Sequence, residues 1–146
     1  MPRKRMATVR QYEFRLGSES NAPVKVNYGY CTSGTVSLMC SIGGWDSASG
    51  ELSDELDKQI EQAFSNVDLT LRTAGVEDGW KQVSSVKSYH VGEINEHLFE
   101  VMKQNMEKWM AHKPIWTMMG VTALGLPAMK VEIDVVAIED EGKKSS

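Results

Sequence analysis

The feature that most constrains this chain is a change of period at Pro114. Before it, Ile94, Leu98, Val101, Met102, Met106 and Trp109 recur at spacings of three, four and one. That is the apolar stripe of a helix running from about Ile94 to Ala111. Pro114 ends the helix, because its ring fixes φ and removes the N–H that the next turn needs. Beyond it the period falls to two. Trp116 to Thr122 reads as a strand and Gly125 to Pro127 as a turn. Val131, Ile133, Val135 and Ala137 then alternate with Glu132, Asp134, Val136 and Ile138 in a last strand. Both sides of that strand become apolar near its end, as in a strand covered on both faces.

The same reasoning extends upstream. Tyr12, Phe14 and Leu16 alternate with polar residues, which predicts a first strand. Gly17 to Pro23 reads as a polar turn region. Tyr28 to Ser33 and Val36 to Ile42 read as a hairpin about Ser33-Gly34-Thr35. Leu52, Leu56, Ile60, Phe64, Val67 and Leu71 lie on one helical face. Ser53 is the expected N-cap, and Gly75 the expected C-terminal stop. Val83, Val86, Tyr89 and Val91 form a strand of irregular alternation. The predicted order is β-β-β-α-β-α-β-β, a two-layer α+β domain. It places a six-stranded mixed sheet under two helices on one face. Two helices cover one face of such a sheet, so an apolar opposite face needs a partner, which predicts an oligomer.

Composition sets the outer bounds. A chain of 146 residues is long enough for one domain with a real core. The segments read as a disordered basic N-terminus over residues 1–8, a single domain over 9–138 and a polar tail over 139–146. A net charge of −4 argues against a nucleic-acid partner, which favours a basic face. No apolar run approaches the roughly 20 residues of a membrane-spanning helix. Cys31 and Cys40, without a CxxC motif or a secretory signal, read as buried free thiols of a reducing compartment. The expected location is therefore cytoplasmic. The mitochondrial matrix stays open, as does the nucleus through Arg3-Lys4-Arg5.

Several short segments, taken in order, carry a resemblance. They are Asn21-Ala22-Pro23, Tyr28-Gly29-Tyr30, Ser41-Ile42-Gly43-Gly44 and Ser49-Gly50-Glu51-Leu52. Gln59 to Gly75 follows with Asn66, Leu71 and Ala74-Gly75, then Val86-Lys87-Ser88-Tyr89 and Asn95. Pro114-Ile115-Trp116-Thr117 and Val131-Glu132-Ile133-Asp134 complete the series. In order and spacing, from about Asn21 to Ile138, they resemble the RidA family, also called the YjgF family. The resemblance implies a chorismate-mutase-like fold and a homotrimer with small-molecule clefts between subunits. In the active members of that family an arginine holds the carboxylate of an enamine or imine acid. A glutamate on the last strand positions the hydrolytic water.

Carried over position by position, the glutamate is Glu132. The cleft aromatic is Tyr28 or Tyr30. Asn95, Thr117 and Met118 join them as ligand-binding positions. The arginine position holds Trp116. A guanidinium pairs with a carboxylate through two charge-assisted bonds. An indole offers one N–H and a large apolar face. The resemblance therefore implies a trimer that binds a small planar, weakly charged molecule without enamine or imine deaminase activity. The alternative is a hydrolase or lyase of altered specificity that uses Glu132 to position water. Lys113 and His112 are candidates for a replacement charge.

Other constellations carry less. Glu93 and His97 have the i, i+4 spacing of metal ligands, but a polar helix face explains them and no metal is expected. No P-loop, GxGxxG or Gly-x-Ser-x-Gly is present, and no cofactor is expected. Met102, Met106 and Met110 read as adaptable packing.

Overall fold

The computed structural model describes residues 11–15, 23–27, 29–32 and 35–140, with side chains from residue 41 to residue 138. The expectations for the basic N-terminus, and for the tail beyond Asp140, lie outside these residues. Seven strands and two helices follow in the order β1 (Gln11–Arg15), β2 (Pro23–Asn27), β3 (Gly29–Thr32), β4 (Thr35–Gly43), α1 (Leu56–Thr73), β5 (Val83–Val91), α2 (Glu96–Trp109), β6 (Ile115–Val121) and β7 (Val131–Asp140).

The main sheet contains five strands in the order β3-β4-β7-β5-β6. The β5–β6 pair is parallel and the other pairs are antiparallel, so the sheet is mixed. The expected six-stranded sheet is corrected here. β1 pairs with β2 in a separate two-stranded sheet. The turn expected over Gly17 to Pro23 ends where β2 begins, and the short alternation of Val24 and Val26 after Pro23 gives too little signal to predict that strand. The last strand lies in the centre, which is why both of its faces carry apolar residues.

One face of the sheet packs on the helices. Val131, Ile133, Val135 and Ala137 of β7 are buried there with Ile60, Phe64, Val67 and Leu71 of α1 and Leu98 and Met102 of α2. The irregular alternation of β5 is a β-bulge between Val83 and Ser85. One extra residue lets both Val83 and Val86 point toward the helices, although they are three apart. Trp80 follows α1 and stacks on Phe64 with centroids 4.8 Å apart, while its Nε1 donates to the Phe64 carbonyl at 2.8 Å.

Helix α1 begins at Leu56, four residues later than Leu52. Ser53 does not cap it; the Ser53 hydroxyl instead accepts from the Glu55 N–H at 3.1 Å. Leu52 forms an isolated bridge with Trp45. At the other end Gly75 takes φ of +98°, and Val76 N–H reaches the Leu71 carbonyl at 2.9 Å. That positive φ is why glycine stands there.

Two buried amides tie α1 to the sheet and its loops. Gln59 donates to the carbonyls of Ser53 and Ala128 at 2.7 and 2.8 Å and accepts from the Lys130 N–H at 2.9 Å. Asn66 donates to the carbonyls of Gly43 and Trp45 at 2.9 and 2.7 Å, and Gln62 donates to Asn66 at 2.9 Å. Buried amides satisfied in this way fix geometry, because losing one partner strands a desolvated polar group.

Candidate functional site

The residues singled out in the sequence separate onto two faces of the sheet. In β5 and β6 the register pairs Val86 with Trp116, Ser88 with Met118 and His90 with Gly120. Val86, Ser88 and His90 are buried on the helix side. Paired residues point to the same face, so Trp116 and Met118 face the helix layer. Lys87, Tyr89, Thr117 and Met119 face the other way. On β7, Tyr89 pairs with Glu132 and Lys87 with Asp134. Glu132 therefore lies on the open face, and Trp116 does not share that face within one chain.

The Trp116 indole is held by two contacts. Its ring stacks on Phe99 of α2 with centroids 5.5 Å apart and planes at 23°. Its Nε1 donates to the Ser88 hydroxyl at 3.0 Å. The remaining indole edge lines a recess of about 320 Å³ between the end of α2 and the start of β6. Met106, Met110, Ala111 and Pro114 supply its apolar wall, with Lys103, Glu107, His112 and Lys113 around it. His112 Nε2 donates to the Val83 carbonyl at 2.6 Å, which anchors that side of the recess to β5. A recess of this size, apolar with polar groups among its lining, falls within the range of small-molecule sites. His112 and Lys113, considered as replacements for the arginine, do lie beside Trp116.

The open face holds a polar cluster. Ser41 donates to Glu132 Oε1 at 2.7 Å. The Tyr89 phenol is pushed up from its ordinary value, first by partial burial and then by the Asp134 and Glu132 carboxylates beside it. Hydroxyl, phenol and two carboxylates can orient a water for attack. Apolar residues flank the cluster. Val136, Ser85 and Ile115 form one row across the strands, and Ile115 is 75% exposed.

The other site residues fall as follows. Asn95 is the N-cap of α2, its side chain accepting from the Leu98 N–H at 3.0 Å. Tyr28 lies outside the described residues, and Tyr30 pairs with Ser37 in the β3–β4 hairpin. Thr117 is exposed on the open face, whereas Met118 packs against the core. His97 turns its Nε2 to Asp57 at 2.8 Å. Among the described residues no three His, Cys, Asp or Glu side chains are grouped to hold a metal, and no helix is long and apolar enough to cross a membrane.

A histidine on a strand is usually a hydrogen-bonded structural one, and His90 on β5 departs from that expectation. It is 1% exposed, and neither ring nitrogen has a hydrogen-bond partner among the described residues. Burial lowers its pKa from 6.5 to about 4. Its burial follows the plain alternation of β5, since His90 lies two and four residues beyond the buried Ser88 and Val86.

Comparison with known proteins gives one family. The model of the endoribonuclease L-PSP family matches residues 20–139. A Yersinia pestis protein of the conserved Rid family, YyfB, is 25% identical, with 76% of this chain and 84% of that one covered at a TM-score of 0.62. RidA from an Antarctic Psychrobacter is 18% identical, covering 85% and 93%, at 0.62. Escherichia coli TdcF with bound serine is 18% identical, covering 86% and 94%, at 0.64. No match was found among curated proteins.

Proposed function

We propose, from the premise that this chain belongs to the endoribonuclease L-PSP family, that it is a trimeric small-molecule-binding protein without enamine or imine deaminase activity. The observation that carries this reading is the state of Trp116. At the position where active relatives hold a substrate carboxylate with arginine, this chain has an indole committed to Phe99 and Ser88. An indole has no charge to offer a carboxylate, and this one has already used its N–H. Its free edge lies over the apolar recess, where a flat ligand gains stacking area.

The sheet supports the assembly. Both helices pack on one face, and the other carries Ile115, Met119, Val136 and Ile138 around the Glu132 cluster. A second chain against that face would remove exposed apolar area from water. A cytoplasmic location fits the cysteine usage and remains part of the proposal.

A second reading rests on a separate observation. Ser41, Tyr89, Glu132 and Asp134 form a polar cluster away from the recess. Glu132 there could position a water for hydrolysis of a substrate gripped without arginine.

Two measurements test the main reading. Light scattering should give three times the chain mass at micromolar concentration; a monomer would overturn the assembly. Indole-3-acetamide should raise the melting temperature of wild type and not of Trp116→Ala. Equal response of the two proteins would remove Trp116 from the site.

A further inference from the structure

The two helices are held to the sheet in unequal ways. Helix α1 buries eight side chains, and two of them, Gln59 and Asn66, are amides bonded to the carbonyls of Ala128, Gly43 and Trp45. Helix α2 buries three, Leu98, Met102 and Asn105. The Asn105 amide donates to the Val101 carbonyl of its own helix at 2.9 Å, so it ties α2 to nothing else. Among the described residues, one side-chain hydrogen bond joins α2 to another element. It runs between His97 Nε2 and Asp57 of α1 at 2.8 Å, and both partners are more than half exposed. An exposed pair of this kind contributes little. The stack of Phe99 on Trp116 adds a second tie, and Phe99 is 46% exposed.

Helix α2 also has defined ends. Gly92 takes φ of +103° shortly before it, and Met110 leaves helical geometry at φ −133° and ψ 136°. Beyond Met110, His112 is bonded to the Val83 carbonyl and stays with β5. Segments with few buried side chains and exposed hydrogen bonds open at lower free energy than the rest of a fold. By these criteria α2 opens before α1. The recess beside Trp116 is divided between the two parts. Lys103, Met106 and Glu107 belong to α2, whereas His112, Pro114 and Trp116 belong to the anchored side.

We infer that α2 is the movable wall of this recess: it opens from the sheet as a unit while α1 stays in place, and it closes on a bound ligand. The inference rests on the recess being a binding site, as proposed above, and adds how a ligand enters and leaves it. In the closed state a flat ligand meets Met106 and Trp116 together. In the open state it keeps Trp116 alone, so binding favours closure by the difference. A second chain on the open face of the sheet leaves α2 unobstructed, because the helices lie on the opposite face.

Hydrogen exchange of the full chain, followed by mass spectrometry, tests it. Relative to their intrinsic rates, amides of residues 100–109 should exchange at least roughly tenfold faster than those of residues 60–71. Saturating indole-3-acetamide should slow the first group and leave the second nearly unchanged. Phe99→Ala removes a half-exposed ring from the stack. It should speed both α2 exchange and release of the probe, by roughly two- to tenfold, while α1 keeps its protection. Equal protection of the two helices in wild type would overturn the movable wall. A probe that raises the melting temperature but leaves α2 exchange unchanged would also overturn it, with the recess still standing as a site. Faster α2 exchange in Phe99→Ala without faster release would overturn the link between motion and release. A probe that leaves the melting temperature of wild type unchanged would overturn the recess as a site, and the gate with it.

Discussion

Stability should fall between pH 6.5 and pH 4, and His90 should be the cause. The imidazole is 1% exposed, with neither nitrogen bonded among the described residues. Burial lowers its pKa to about 4 in the fold, against 6.5 for a solvated ring. Above pH 6.5 both states hold a neutral ring, and the shift has no effect. As pH falls through the window, the unfolded chain binds a proton that the folded chain refuses. The slope of unfolding free energy with pH is then positive, at about 1.4 kcal/mol per pH unit. Over the window the loss amounts to about 3 kcal/mol, a large part of the 5–15 kcal/mol typical of a domain. Urea denaturation at pH 7.0 and 4.5, at one protein concentration, reads this directly. His90→Leu keeps an apolar side chain of similar size at the site and removes the titration. Its stability at pH 7 should change little, because an unbonded polar ring is replaced by an apolar group. Its loss on acidification should be far smaller than that of wild type. An equal loss in both proteins would refute the reasoning and move the acid sensitivity to other groups.

Val135→Asp should fail to fold or lose several kcal/mol, because Val135 is 1% exposed between the helices and the sheet and an unpaired carboxylate there is desolvated; an unchanged melting temperature would show the facing to be wrong. Gly44→Ala should destabilise strongly, since a Cβ at that position would stand 2.1 Å from the Gln59 carbonyl oxygen, a backbone atom that cannot step aside; thermal melting checks it. Asn95→Ala should cost about 1 kcal/mol through the lost cap on Leu98 N–H, and chemical denaturation should show Asn95→Ser retaining most of it.

Much of the fold was legible because its signals are local. The stripes of α1 and α2, the stop at Gly75 and the break at Pro114 are read within a turn or two of chain. The alternation of β7 placed Val131, Ile133, Val135 and Ala137 on a buried face, which the structure bears out. The start of α1 was harder, since Leu52 continues the helical spacing but is held by a bridge to Trp45, a contact decided by tertiary packing. The short β2 gave too few alternating residues to outweigh Pro23. For the site, the family pattern marked Trp116 and Glu132 by position along the chain. Which sheet face each occupies depends on the register of β5 with β6 and β7, and on the bulge at Val83–Ser85. No single segment carries that information. Gln59 and Asn66, which also belong to the family pattern, have a structural role: their buried amides tie α1 to the end of β4 and to the segment before β7.

The most direct test of the account is hydrolysis of 2-aminoacrylate, generated in place and followed as 2-keto acid. Wild type should not accelerate the reaction above buffer or above Trp116→Ala, because the position that the family resemblance assigns to a carboxylate-binding arginine holds an indole already bound to Phe99 and Ser88. The absent charge-assisted pair is worth roughly 1.5–3 kcal/mol where it forms. Robust 2-keto acid production by wild type, abolished in Glu132→Gln, would contradict the account and establish the chain as a deaminase with another grip on its substrate.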